Sequence, residues 1–241
     1  MGAVSYLNTK PLVYGIREGM MEDRLDLQID HPAAIARMLK ENSIDLGLIP
    51  IAAINDLPEH YIISDYCIGC DGEVGSVCLF SEVPLEQVET VLLDYQSRTS
   101  AELLKILLKD HWKIHPEIIT SNGEYRHQIM GKTAGLVIGD RAFEQRAISK
   151  FRYDLGYEWK KFTGLPFVFA CWVANREIDK NYFNLFSEAL KFGLDNRSLL
   201  FETLSNKNYN VRKYLTDNIR YLLDDDKRQG MQTFFSLVKQ L

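Results

Sequence analysis

Short apolar runs alternate with stretches of helical period through the first two-thirds of the chain, and this alternation limits the folds open to it. The segment HPAAIARMLKENSIDLGLIP reads as a helix opened by Pro32 in its first turn, followed by a strand from Asp45 to Ile49. TSAELLKILLKDHW places Leu103, Leu104, Leu107 and Leu108 on one helical face. TAGLVIGD is a short buried strand that ends at an acid, and RAFEQRAI continues from it as a helix. This rhythm predicts an α/β protein with a mostly parallel sheet. In open sheets of that class, ligands sit beyond the carboxyl ends of the strands. The polar residues that close AVSYLNTKP fall at such an end, where a strand that only fills a core has no use for them.

With 241 residues the chain can form one large domain or two modest ones, each with its own core. Two extended stretches, VGSVCLFS around Val77 and FVFACWVAN around Cys171, read as crossings between lobes. They divide the chain into residues 1–79 plus 175–241 as one lobe and residues 80–174 as an inserted lobe. The last third is read as helical. Tyr182, Leu185, Phe186 and Ala189 share one stripe, Val211, Tyr214, Leu215 and Leu222 a second, and Met231, Phe234, Phe235, Val238 and Leu241 a third. Aromatic stripes at that spacing are read as scaffold.

A net charge of -5 argues against general binding to nucleic acid or to a membrane surface. It leaves room for an anionic ligand, because anion sites are built locally from backbone amides. No apolar run approaches the ~20 residues that span a bilayer, and no secretory leader is read at the start, so the cytoplasm is the expected location. Cys67, Cys70, Cys78 and Cys171 lie mostly in apolar strand-like runs, as reduced buried thiols do. The CIGC spacing of Cys67 and Cys70 has no second Cys or His pair beside it, so no metal is expected there.

Five strand-to-helix junctions carry polar groups. In the first, from Ser5 to Lys10, the Asn8 amide can orient a carboxylate or hydroxyl, or can cap the turn before Pro11. In GEVGSVCLF, Gly72 and Gly75 allow close backbone approach to a ligand and Ser76 offers a hydroxyl; a plain glycine turn fits as well. In LLDYQSRTSAELL, Ser97, Thr99 and Ser100 sit at a helix start that can bind an anion, and one of them is its cap in any case. Arg98 there can pair with a carboxylate or lie in solvent. In VIGDRAF, Asp140 is either a helix cap or an acid-base group, with capping the more common role. In TGLPFVFACW, Pro166 stiffens a loop and Phe167 walls an apolar pocket or packs in the core.

His31, His60, His111, His115 and His127 all lie outside these junctions. No nucleophile elbow, phosphate-binding glycine loop, zinc spacing or dinucleotide fingerprint is present, which removes most support for hydrolase, kinase and metalloenzyme readings. What the residues alone describe is a two-lobed binder of a small anion.

The motifs VSYLNTKPLVYG, DLGLIPIAAI, GEVGSVCLFS, LLDYQSRTS, GLVIGDRAF and YDLGYEWKKFTGLPFVFACW occur in order from Val4 to Trp172. Together they resemble the chorismate dehydratase family of the futalosine route to menaquinone. The resemblance implies a two-lobed, type II periplasmic-binding-protein fold with a ligand cleft between lobes, and a cytoplasmic lyase that needs no metal or organic cofactor. The reaction it implies converts chorismate to 3-[(1-carboxyvinyl)oxy]benzoate and water. By motif position, Asn8 and Ser76 hold the enolpyruvyl part of the substrate, and Ser97, Thr99 and Ser100 offer donors to a carboxylate. Ser5, Lys10, Arg98, Pro166 and Phe167 complete the expected substrate-binding set. The base that removes the C3 proton is either Asp140 or the substrate's own enolpyruvyl carboxylate, and the second is preferred. Two other readings share the fold: a non-catalytic binder of small anions, and the naphthoate synthase of the same pathway, for which a motif histidine is expected and not found.

Overall fold

In the computed structural model, which describes residues 1–21, 24–204 and 209–241, the apolar runs become short strands. They are β1 (Gly2–Val4), β2 (Gln28–Asp30), β3 (Leu46–Pro50), β4 (Tyr61–Cys70), β5 (Val77–Ser81), β6 (Thr90–Leu93), β7 (Glu117–Thr120), β8 (Thr133–Ile138), β9 (Phe151–Asp154), β10 (Phe167–Ala174) and β11 (Arg220–Leu222). The α-helices are α1 (Lys10–Gly15), α2 (Pro32–Lys40), α3 (Arg98–Ile106), α4 (Arg141–Arg146), α5 (Leu155–Thr163), α6 (Lys180–Asp195), α7 (Leu200–Thr203), α8 (Val211–Lys213) and α9 (Asp225–Val238). The chain divides into two compact units, Met1–Gly69 with Val168–Asp225 and Cys70–Phe167 with Asp226–Leu241.

The first unit holds a six-stranded sheet in the order β11-β4-β10-β3-β1-β2. Strands β2, β1 and β3 run parallel, while β10 is antiparallel to β3 and β11 to β4. Helix α2 links β2 to β3 and buries Ile35 and Leu39. Pro32 sits in its first turn, where a missing N–H costs nothing, and the His31 ring accepts from the Ala34 amide at 3.2 Å. Helices α1 and α6 meet backbone to backbone. A methyl group on Gly193 would stand 2.1 Å from the Pro11 carbonyl, and one on Gly15 would stand 2.2 Å from the Ala189 carbonyl. Only glycine permits that approach.

The second unit holds a five-stranded sheet in the order β7-β6-β8-β5-β9. Strands β7, β6 and β8 are parallel; β5 runs antiparallel to both β8 and β9. Leu103 and Leu104 of α3, with Leu107 and Leu108 just beyond it, are all buried, as their spacing predicts. Trp159 of α5, Phe167 and Phe234 of α9 form an edge-to-face cluster with centroids 5.1 to 6.4 Å apart. That cluster ties α9 to the second unit. The lobes expected from the sequence keep the tail with the chain ends and divide after residues 79 and 174; the units divide after Gly69 and Phe167, and the second takes Asp226–Leu241.

Two local expectations are corrected. Neither sheet is mostly parallel: each has a parallel group of three strands extended by antiparallel partners. Strand direction depends on the end at which the chain re-enters a sheet, which no local pattern encodes. The stripe from Val211 to Leu222 is not one helix either. After α8 the chain makes a π-helical turn over Tyr214–Asn218 and then forms β11, where Leu222 is exposed. Val211, Tyr214 and Leu215 are buried, so the period marked a buried face correctly and its continuation through Leu222 did not hold.

Candidate active-site residues

In the first unit, β1 ends at Val4 and the chain turns through a 3-10 turn, Leu7–Thr9, into α1. Ser5 is exposed and its amide donates to the Asp30 carbonyl at 3.2 Å. Lys10 is half-buried, while Asn8 and Thr9 are buried. The Asn8 side chain caps neither helical segment. Its Nδ2 donates to the Tyr214 hydroxyl at 3.1 Å, and its Oδ1 accepts from Thr9 Oγ1 at 3.4 Å. The Tyr221 hydroxyl donates to the Asn8 carbonyl at 2.9 Å. Burial pushes the Tyr221 phenol well above its ordinary range, so it stays a neutral donor. Asn8 is thus held at its side chain and its backbone by two tyrosines more than 200 positions away, 206 and 213 residues on.

In the second unit, register brings three of the five junctions in question to one edge of the sheet. Val77 pairs with Ile138, and the Gly139 amide donates to the Ser76 carbonyl at 2.8 Å, so the start of β5 meets the end of β8. Strand β6 is parallel to β8 and ends beside it, which delivers Asp94 to Ser100 to the same edge. Cys78 pairs with Asp154, which adds the end of β9 and the start of α5.

Ser76 is 1% exposed. The loop before it is built on Asp154, whose carboxylate accepts from the amides of Val74 at 3.0 Å and Gly75 at 2.7 Å. The same carboxylate caps α5 through the amides of Gly156 and Tyr157, each at 3.1 Å. Gly75 takes φ +79, which an L side chain resists. Burial raises the Asp154 pKa, and the amide bonds oppose that rise.

Ser97 is the cap of α3, accepting from the Ser100 amide at 3.2 Å, which leaves its hydroxyl proton to donate elsewhere. Thr99 and Ser100 are buried in the first turn, and Arg98 is exposed. Asp140 occupies the cap position of α4, yet its carboxylate bonds none of that helix's amides. Pro166 and Phe167 lie away from these turns, beyond α5. Pro166 gives its carbonyl to Trp159 Nε1 at 3.2 Å, and Phe167 is 1% exposed within the aromatic cluster.

Several contributors escaped the sequence reading. Arg141, next to Asp140 in the same motif, donates from Nη2 to Asp94 Oδ2 at 2.6 Å. Tyr125 donates to the same oxygen at 3.1 Å, and the Gln96 amide to Asp94 Oδ1 at 2.9 Å. Burial raises the Asp94 pKa, and the Arg141 charge works against the rise. Asp154 stands at a strand-to-helix junction like the one that drew attention to Asp140, so the same signal would have found it. Tyr214 was hidden because its place in an apolar stripe reads as core.

A family model described as menaquinone biosynthesis matches residues 1–240. The chain belongs to this family. Within the curated proteins, it is 28% identical to a protein of Thermus thermophilus named chorismate dehydratase, over 262 aligned positions covering 97% of this chain and 93% of the relative. Among solved structures, an Archaeoglobus fulgidus protein superposes with a TM-score of 0.78 at 12% identity, covering 99% of this chain and 96% of that one. A Candida albicans protein, described as exhibiting the generic periplasmic binding protein structural fold, does so with 0.64 at 12% identity, covering 100% and 89%. The menaquinone-family chain therefore has the periplasmic-binding-protein fold. None of its described helices is long and apolar enough to cross a membrane.

Proposed function

We propose that this chain is a chorismate dehydratase that forms 3-[(1-carboxyvinyl)oxy]benzoate and water. The observation that carries the reading is the end-to-end likeness to a relative of that name, inside a family match that spans residues 1–240. The chemistry fits the donor groups. Chorismate carries a C3 proton conjugated through the ring diene to the ring carboxylate, so removing it spreads negative charge into that carboxylate. Loss of the neighbouring C4 hydroxyl then makes the ring aromatic, which supplies the driving force. The protein's task is to hold geometry and stabilise a developing dianion, and neutral donors fixed in advance suit it.

In this reading Asn8 and Ser76 hold the enolpyruvyl group so that its carboxylate takes the C3 proton. Ser97, Thr99 and Ser100 offer amides and hydroxyls to a carboxylate at the start of α3, where the helix dipole favours an anion. Asp140 is the alternative base. We favour the substrate carboxylate, because the surrounding set of amides and hydroxyls is suited to positioning and contains no histidine. The test is direct: purified protein is mixed with chorismate and followed by mass spectrometry. Loss of one water to give the enolpyruvyl benzoate is expected; chorismate recovered unchanged would leave a binder of the same fold and overturn the proposal.

A further inference from the structure

Asp94 has no exposed side-chain surface, and neutral donors already serve it: the amides of Gln96 and Ile138, and the Tyr125 hydroxyl, whose one proton it shares with the Leu136 carbonyl. Hydrogen bonding alone does not require an arginine there. Arg141 nevertheless spends Nη2 on Asp94 Oδ2 at 2.6 Å and on Gln96 Oε1 at 3.1 Å. Its side chain is 23% exposed, and among the described residues neither Nη1 nor Nε donates to a protein acceptor. The anchoring removes the rotamer freedom of a long side chain before any ligand arrives, so a cation waits in a fixed place. That place is the sheet edge where β6 and β8 end, beside the Ser97 to Ser100 turn. Arg98, which the sequence offered for the same charge, is exposed on the first turn of α3.

We propose that Arg141, positioned by Asp94, binds the ring carboxylate of an aryl or cyclohexadienyl acid through its Nη1 amine; naming chorismate as that acid rests on the function proposed above. Asp94 is a positioning residue, because it acts through Arg141. The neutral donors of the α3 turn alone would bind an amide nearly as well as a carboxylate, whereas the guanidinium sets the preference for the charged group.

The test is calorimetric binding of 3-hydroxybenzoate and of 3-hydroxybenzamide to the full chain and to Arg141→Met, with chorismate turnover measured in parallel. The unsubstituted protein should prefer the acid. Arg141→Met should lose roughly 10- to 100-fold in acid affinity and leave amide affinity unchanged, as loss of a charged hydrogen bond predicts. Arg141→Gln, which keeps a donor for Asp94, should show the same selective loss and serves if the Met variant does not fold. An unsubstituted protein with no acid preference, or variants that weaken both ligands equally, would overturn the inference. An intact, Arg141-dependent acid preference with no chorismate turnover would uphold it and overturn the dehydratase reading alone.

Discussion

Asp154 accepts from four backbone amides, two in the glycine loop that leads to Ser76 and two in the first turn of α5. One carboxylate therefore sets both the loop and the helix start. Removing it strands buried donors, each of which costs about 1–3 kcal/mol when left unsatisfied. Asp154→Ala is expected to lower unfolding free energy by about 3 kcal/mol in urea titration, and to reduce chorismate turnover at temperatures where the variant is still folded. Unchanged stability would mean that water replaces the carboxylate and that the loop is set by something else. Asn8 makes the same point with weaker bonds: its orientation comes from Tyr214 and Tyr221. Partners that far away leave no trace in the SYLNTKP motif itself, which is why the motif pointed to Asn8 and not to what holds it.

At the scale of elements, α1 carries the consequences of its contact with α6. Residues Lys10–Gly15 directly follow Asn8, so any shift of α1 is passed to that amide. A methyl group on Gly193 would meet the Pro11 carbonyl at 2.1 Å, and backbone cannot swing aside as a side chain does. Gly193→Ala is expected to cost about 2 kcal/mol of stability, as overpacking does, read as a lowered Tm in calorimetry. A Tm equal to that of the unsubstituted chain would show that the helices separate without penalty. The elements that were legible in the sequence are those with local causes. Pro32 opens α2 because its ring suits a first turn, and Leu103, Leu104, Leu107 and Leu108 are buried because their period is helical. The antiparallel placement of β5, β10 and β11 was not legible, since pairing partners are chosen over long sequence distances.

At the scale of the whole molecule, the periplasmic-binding-protein fold was legible through the family resemblance that the ordered motifs carry, and three of their junctions fall where β1, β6 and β8 end. Asp94 and Arg141 show where such reading stops. They are 47 positions apart, and only the parallel pairing of β6 with β8 brings their turns to one edge. The central claim is that the fold holds chorismate so that its own enolpyruvyl carboxylate, and no protein base, takes the C3 proton as the C4 hydroxyl leaves. Its most direct test is the turnover of Asn8→Ala and Asp140→Asn, measured side by side with chorismate affinity. The account predicts a loss on the order of 100-fold for Asn8→Ala, as misplacement of a reacting group costs, and a change of only a few-fold for Asp140→Asn. A loss on the order of 100-fold or more in Asp140→Asn with unchanged chorismate affinity is what removing a general base costs, and it would contradict the account.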